Sequence, residues 1–190
     1  MKKLINGLLL VCMIGAFTLA CSGSKENTEM ATEASETGDL QTITVNLINK
    51  SNSELKGTAI FKEMSNGNVQ LDVNLSGLMA GNHAVHLHQT GDCSAADGSS
   101  AGGHWNPTGV NHGNRATDID FHQGDIGNLV IGEDGTGSLS MEVVGWTIGG
   151  PEETNILNKA VIVHAGPDDF TSQPSGAAGP RVGCGAIING

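Results

Sequence analysis

Apolar and polar residues alternate along several short segments of the chain, which is the pattern of β-strands with one buried face. In "QTITVNLI" the apolar residues Ile43, Val45 and Leu47 share one face. In "VQLDVNLS" every second residue from 69 to 75 is apolar. Five further segments are alternating or short apolar runs: "GTAIFKE", "HAVHLH", "GSLSMEVV", "KAVIVH" and "VGCGAII". The pattern predicts an all-β domain.

Turn signals such as "SNGN" and "EDGTG" separate these strands, and the chain shows neither an internal repeat nor an amphipathic helix. An antiparallel sandwich or barrel is therefore expected. Two segments break the strand rhythm: a Gly-, Asn- and Asp-rich stretch over residues 89–128, and a second stretch over 165–180. Long irregular loops are uncommon and tend to be functional, so we expect the site there.

The N-terminal segment is not part of this β pattern. Residues 1–20 combine a Lys-Lys start with a short apolar run, which predicts a signal peptide, and "TLAC" resembles a lipobox with Cys21 as the lipid anchor. Plain secretion is the alternative. Residues 21–40 then form an acidic tether, predicted to be disordered, before a domain at 41–190. The prediction is an extracytoplasmic protein of the periplasm or cell envelope, attached to a membrane only through this lipid.

The net charge bears on the class of binding partner, and the cysteine content bears on the presence of a disulfide. The formal net charge is −11, and removing the first 20 residues, which hold two lysines and no acid, leaves about −13. This balance argues against a nucleic-acid partner. Beyond the signal region only Cys93 and Cys184 remain, and in an exported protein they are expected to form a disulfide, the alternative being two buried thiols.

The histidines carry the candidate chemistry. Alternation places Val85 and Leu87 on one face of "HAVHLH", so His86 and His88 project together from the other face. Two such imidazoles suit copper, zinc or iron, although an H-x-H pair alone is weak evidence. All seven histidines lie between residues 83 and 164, most of them at strand ends or in the first long loop.

Six segments in order, "HAVHLHQTGDC", "GGHWNP", "HGN", "HQGDIGN", "VIVHAGPDD" and "GPRVGCGAI", resemble the signature segments of copper/zinc superoxide dismutases over residues 41–190. The resemblance implies a Greek-key antiparallel β-sandwich or barrel of about eight strands with two long functional loops. It implies Cu and Zn as cofactors and superoxide as substrate, converted to dioxygen and hydrogen peroxide. A monomer and a homodimer are both compatible with it.

The resemblance also implies roles for individual residues. The copper ligands would be His86, His88, His104 and His164, and the zinc ligands would be His104, His112, His122 and Asp125, with His104 shared. Asp168 would join ligands of the two sites by hydrogen bonds. Arg181 would attract the anion, and Arg181 and His104 would be the catalytic residues. His83 is left over, and we interpret it as a structural histidine.

Two departures from the family pattern concern the loops. The segment between His112 and His122 is slightly longer than in familiar eukaryotic members, and residues 165–180 hold acids but no lysine. Arg181 is therefore the only cation expected to attract substrate. The competing hypotheses are a copper-delivery module on the same fold, a structural or adhesive lipoprotein, and a cupin-like metal enzyme, for which the expected glutamate has no counterpart.

Overall fold

The computed structural model describes residues 40–189, so the predicted signal peptide and lipid anchor, and all but the last residue of the predicted tether, lie outside the described residues. Eight strands form the fold: β1 (Thr42–Asn49), β2 (Lys56–Glu63), β3 (Val69–Ser76), β4 (Gly81–His88), β5 (Asp125–Ile131), β6 (Thr136–Val143), β7 (Ala160–His164) and β8 (Arg181–Ala186). Within the described residues the only helix is a 3-10 turn at Ser99–Ala101, and no helix there is long and apolar enough to span a membrane.

All neighbouring strands are antiparallel, in the order β5-β4-β7-β8-β1-β2-β3-β6. The first strand belongs to both halves, since it pairs with β2 along most of its length and with β8 at Ile48 and Asn49. The two end strands approach each other, because a Cβ at Gly137 would lie 2.2 Å from the carbonyl oxygen of Val130. The all-β barrel expected from the sequence is confirmed, and it is nearly closed.

The alternation seen in the sequence corresponds to burial. In β1 the residues Ile43, Val45 and Leu47 are buried between exposed neighbours, and β3 buries every second residue from 69 to 75. The barrel interior is filled by these side chains together with Phe61 and Trp146, both fully buried.

One strand was missed by the sequence pattern. The predicted first loop ran from 89 to 128, whereas β5 already begins at Asp125. Val130 is exposed between the buried residues Leu129 and Ile131, so three consecutive apolar residues hide the alternation of burial. An apolar residue on the exposed face removes the period-two signal on which the prediction relied.

Both faces are buried in β7 and in β4 from His83 onward. Val85 and Leu87 of β4 lie in the barrel core, and His86 and His88, on the opposite face, are also buried. The strand therefore presents its histidines to the region covered by the two long connections.

Candidate metal centre

Backbone pairing brings the first loop back onto β4. The amide of Trp105 donates to the carbonyl of Leu87 at 2.8 Å, and the amide of Gln89 donates to Gly103 at 3.0 Å. These bonds place His104 opposite His88 in an isolated β-bridge. The imidazole rings of His86 and His104 consequently have centroids 4.0 Å apart.

Two overlapping groups of buried side chains result, in each of which the ligand atoms lie within 4.8 Å of one another. The four-histidine set comprises His86, His88, His104 and His164. The mixed set comprises His104, His112, His122 and Asp125. The structure thus brings together every residue that the sequence proposed as a metal ligand.

In the four-histidine set, one nitrogen of each ring is held by the protein and the other is free. His88 Nδ1 donates to Gly102 O at 2.8 Å, and His164 Nδ1 donates to Gly179 O at 3.0 Å. In the part of the chain that the structure describes, four buried atoms of this set have no hydrogen-bond partner: Nδ1 of His86 and Nε2 of His88, His104 and His164. Buried polar atoms are almost always satisfied, and four convergent free imidazole nitrogens fit a metal ion.

In the mixed set, Asp125 Oδ1 lies at the centre of three imidazoles. It is 2.9 Å from His104 Nδ1, 3.0 Å from His112 Nδ1 and 3.4 Å from His122 Nδ1. Tetrahedral zinc with ligands at about 2.0–2.1 Å separates them by about 3.3 Å. These spacings therefore fit such an ion, and His112 Nδ1 has no hydrogen bond that satisfies it.

The other carboxylate oxygen of Asp125 fixes this orientation. Oδ2 accepts hydrogen bonds from the backbone amides of His122 at 2.7 Å and of Gly113 at 3.3 Å. With Oδ2 occupied by the backbone, Oδ1 is directed at the imidazoles.

Asp168 links the two sets. Its Oδ2 accepts from His86 Nε2 and its Oδ1 accepts from His112 Nε2, each at 2.8 Å, and all three side chains are fully buried. Asn128 holds the backbone of Asp168, accepting from its amide at 2.8 Å and donating to its carbonyl at 2.9 Å. Each imidazole is thereby fixed with its Nδ1 free for a ligand bond.

Burial controls the protonation of the four-histidine set. It lowers the pKa of His88 to about 2 and, together with repulsion from neighbouring histidines, that of His164 to about 3. Burial also lowers the pKa of His104 to about 4, although the hydrogen bond to Asp125 opposes this. These rings are neutral near neutral pH, as metal ligation requires.

The mixed set has a different electrostatic balance. Burial alone would lower the pKa of His112, but the nearby carboxylates of Asp125 and Asp168 outweigh it and raise this pKa to about 9. Burial would likewise raise the pKa of Asp125, but its hydrogen bonds to the histidines hold that pKa well below the usual range. An ion entering this set therefore displaces a proton from His112 and meets an ionised carboxylate.

Arg181 lies at the mouth of the four-histidine set. It pairs with His164 across β7 and β8, and its guanidinium donates to the carbonyls of Gly98 and Gly102, each at 2.6 Å. A cleft of about 630 Å³ opens here, lined by Arg181, His88, His104 and His164 among others. Within the described residues that line it, Arg181 is the only lysine or arginine.

The disulfide expected between Cys93 and Cys184 is confirmed, with Cα atoms 5.8 Å apart. It joins the loop whose carbonyls hold the guanidinium to the strand that carries Arg181. His83 is no ligand in this arrangement, because its two ring nitrogens face the carbonyls of His164 at 2.9 Å and Met79 at 3.0 Å.

Three site residues were missed by sequence reasoning. Asn128 holds Asp168, Gln173 holds His112 and Arg115 holds the turn at 122–125. All three act on backbone groups, so their types and spacing carry no signal comparable to that of a metal ligand.

Comparison with known proteins agrees with this geometry. The family model for copper/zinc superoxide dismutase (SODC) matches residues 55–187. The chain belongs to the copper/zinc superoxide dismutase family. It is an enzyme that disproportionates superoxide to dioxygen and hydrogen peroxide, with copper and zinc as cofactors.

Relatives of known sequence or structure cover most of the domain. The chain is 38% identical over 144 residues to Cu-Zn superoxide dismutase 2 of Brassica juncea, covering 72% of this chain and 91% of that protein. A double mutant of a SOD-like protein from Bacillus subtilis has a TM-score of 0.69 and 30% identity, covering 77% of this chain and 97% of the other. The clock protein EA4 has a TM-score of 0.69 and 29% identity, covering 78% and 94%.

Proposed function

We propose that copper binds the four-histidine set, zinc binds the mixed set, and His104 bridges the two ions. The observation that carries this assignment is the environment of the His104 ring. Its Nδ1 lies 2.9 Å from Asp125 in the mixed set, while its Nε2 is buried without a partner in the four-histidine set. One imidazole therefore offers a nitrogen to each set.

Ligand chemistry supports the choice of metal for each set. Three imidazoles and one carboxylate at tetrahedral spacing are a closed zinc site of the structural kind. Four imidazoles without a thiolate suit copper in both of its oxidation states. His88, His104 and His164 of the four-histidine set line the cleft with Arg181, whereas the mixed set adds only His122 to the shared His104. The four-histidine set is therefore the one presented to a small substrate.

Copper bound there supplies a one-electron couple, Cu(II)/Cu(I), that accepts an electron from one superoxide and returns it to the next. The protein provides a proton donor, His104, and a positive electrostatic field, that of Arg181. With copper bound, His104 Nε2 would be a ligand, and in its free form it would hold one of the two protons that hydrogen peroxide requires, the other coming from water. Nδ1 of the same ring stays on the side of the mixed set, beside Asp125, so the imidazole stays in place.

Arg181 provides the binding site for the anion. Two of its donors are held by loop carbonyls, which fixes the guanidinium plane, and the charge remains because an arginine is protonated at any physiological pH. A fixed cation in a narrow cleft attracts and orients an anion even on a protein of strongly negative net charge.

The assignment is tested by two single variants of the full chain. His88→Ala removes a ligand unique to the four-histidine set, and His122→Ala removes one unique to the mixed set. We expect the first variant to lose copper and superoxide dismutation while keeping zinc, and the second to lose zinc while keeping copper. Metal content by mass spectrometry and the Cu(II) electron paramagnetic resonance spectrum separate the two. The opposite pattern contradicts the assignment.

We also propose that the enzyme is exported and anchored to a membrane by acylation of Cys21. The support is the sequence pattern of residues 1–21 together with a disulfide, which persists in oxidising compartments. Mass spectrometry of the N-terminal peptide from membranes tests this. If Cys21 is unmodified and the protein is found in the soluble fraction, the lipid anchor is ruled out and secretion without an anchor is the alternative.

A further inference from the structure

We propose that Arg115 is a positioning residue for the zinc site, acting by holding the backbone turn that carries His122 and Asp125. The inference rests on the proposed function, since it takes zinc as the ion of the mixed set. Arg115 lies in the stretch between His112 and His122, where the likeness to the family pattern is loosest.

The turn at residues 122–125 is compact and carries two ligands. The amide of Asp125 donates to the carbonyl of His122 at 3.0 Å, and the amide of His122 donates to Asp125 Oδ2 at 2.7 Å. The direction of Asp125 Oδ1 therefore depends on the conformation of this backbone.

A single guanidinium binds the carbonyl oxygens of the turn. Arg115 Nε donates to Asp125 O at 2.7 Å, and Nη2 donates to Gln123 O and, at 3.4 Å, to His122 O. Three of the four carbonyls of the turn thus converge on one side chain that lies 7 to 10 residues away in the sequence.

Aromatic side chains fix the plane of that guanidinium. Its central carbon lies 4.7 Å from the ring centroid of Phe121 and 5.5 Å from that of Trp146. Trp146 Nε1 also donates to Gln123 O at 2.9 Å, so the indole and the guanidinium share this acceptor. Among residues 40–189, Arg115 takes part in no ion pair within 4.0 Å, and its partners are carbonyls and rings.

Charge and geometry have opposite effects on zinc here. A cation close to the mixed set repels a divalent ion, so removing the charge alone would strengthen zinc binding. The planar guanidinium of Arg115, in contrast, holds the ligands His122 and Asp125 in position, so its loss would weaken zinc binding. Residues that orient ligands typically contribute 10–100-fold in metal affinity. Lysine keeps the charge but cannot reproduce the planar arrangement of N–H donors.

The experiment uses the full chain, stripped of metal and titrated with zinc against a chelator. The variants are Arg115→Lys and Arg115→Met, and Lys62→Met is the matched control, since it removes an exposed cation paired with Asp72 on β2 and β3. We expect both Arg115 variants to bind zinc roughly 10–100-fold more weakly. Cobalt in the zinc site should show a weaker or shifted visible band in them, with the control unchanged.

Wild-type affinity and an unchanged cobalt spectrum in both variants would overturn the proposal, as would unchanged binding in Arg115→Lys with tighter binding in Arg115→Met. If the Arg115 variants do not fold, Phe121→Leu, which removes one stacking face, should weaken zinc binding by a few-fold, and wild-type affinity would overturn the proposal. If His122→Ala leaves zinc affinity unchanged, the proposed function fails instead.

Discussion

Gln173 holds the backbone of His112 with both ends of its amide. Its Oε1 accepts from the amide of His112 and its Nε2 donates to the carbonyl of His112, each at 2.9 Å. The two residues are 61 positions apart in the sequence and join the second long loop to the first. Gln173 also lines the cleft, so one side chain connects the surface seen by the substrate with the mixed set.

Replacing Gln173 by alanine should weaken zinc binding. Two neutral hydrogen bonds at about 1 kcal/mol each correspond to roughly a 30-fold lower zinc affinity. Chelator competition measures this, and Gln70→Ala on β3 is the control, because that side chain bonds only within the β3–β6 surface. Equal zinc affinities of wild type and Gln173→Ala would show that the bonds do not position His112.

A methyl group at Gly176 should disrupt both metal sets. Its Cβ would lie 1.8 Å from Asp168 Oδ1 and 2.7 Å from His112 Nε2, where there is no room for it. Gly67, in the turn between β2 and β3, also has a positive φ, +83° against +67°, but no atom within 4 Å of its added Cβ. Gly176→Ala should therefore lose copper and zinc and unfold at a lower temperature, whereas Gly67→Ala should show only the effect of backbone strain. Similar metal contents in both variants would contradict this expectation.

Replacing Arg181 should lower activity without removing metal. Losing a charged hydrogen-bonding group costs about 1.5–3 kcal/mol, so Arg181→Met should reduce the superoxide rate constant roughly 10–100-fold. Arg181→Lys should retain more activity and more of its dependence on ionic strength, because the charge remains. Pulse radiolysis and azide titration check this, with metal content as the control. Azide affinity equal to that of wild type would argue against an anion-binding role.

The metal-free protein should lose stability on acidification. The folded pKa values of His88, His164 and His104 are about 2, 3 and 4, below the value of about 6.5 in an unfolded chain. The unfolded state therefore binds more protons across this window, and the free energy of unfolding falls as the pH drops from about 6.5 toward 4.

His112 has the opposite sign. Its raised pKa, about 9, contributes stability that is fully present below about 6.5 and lost as the pH rises through 9. It therefore does not offset the acid effect. Urea unfolding of metal-free protein at about pH 9.5, 7.5, 6.0 and 4.5 tests both points. A midpoint that stays constant between pH 6.5 and 4.5 would contradict the burial of neutral imidazoles.

The sequence was most informative where chemistry depends on the type of side chain. Histidines and Asp125 are recognisable as ligands wherever the chain places them, and the alternation in β1 and β3 has one physical cause, a single buried face. The strand β5 was missed because Val130, on its exposed face, is as apolar as its buried neighbours. Arg115 and Gln173 were missed because they bind backbone groups, which every residue presents equally, so only the folded chain reveals the match.

The shared position of Asp168 has a consequence for the supply of metals in the cell. Five buried imidazole nitrogens have no hydrogen-bond partner among residues 40–189. Ions that bind only the folded chain stabilise it in proportion to the logarithm of their concentration. Because one carboxylate spans both sets, a shortage of either ion should loosen the shell around the other. The lifetime of the folded protein should then depend on the availability of both copper and zinc in its compartment.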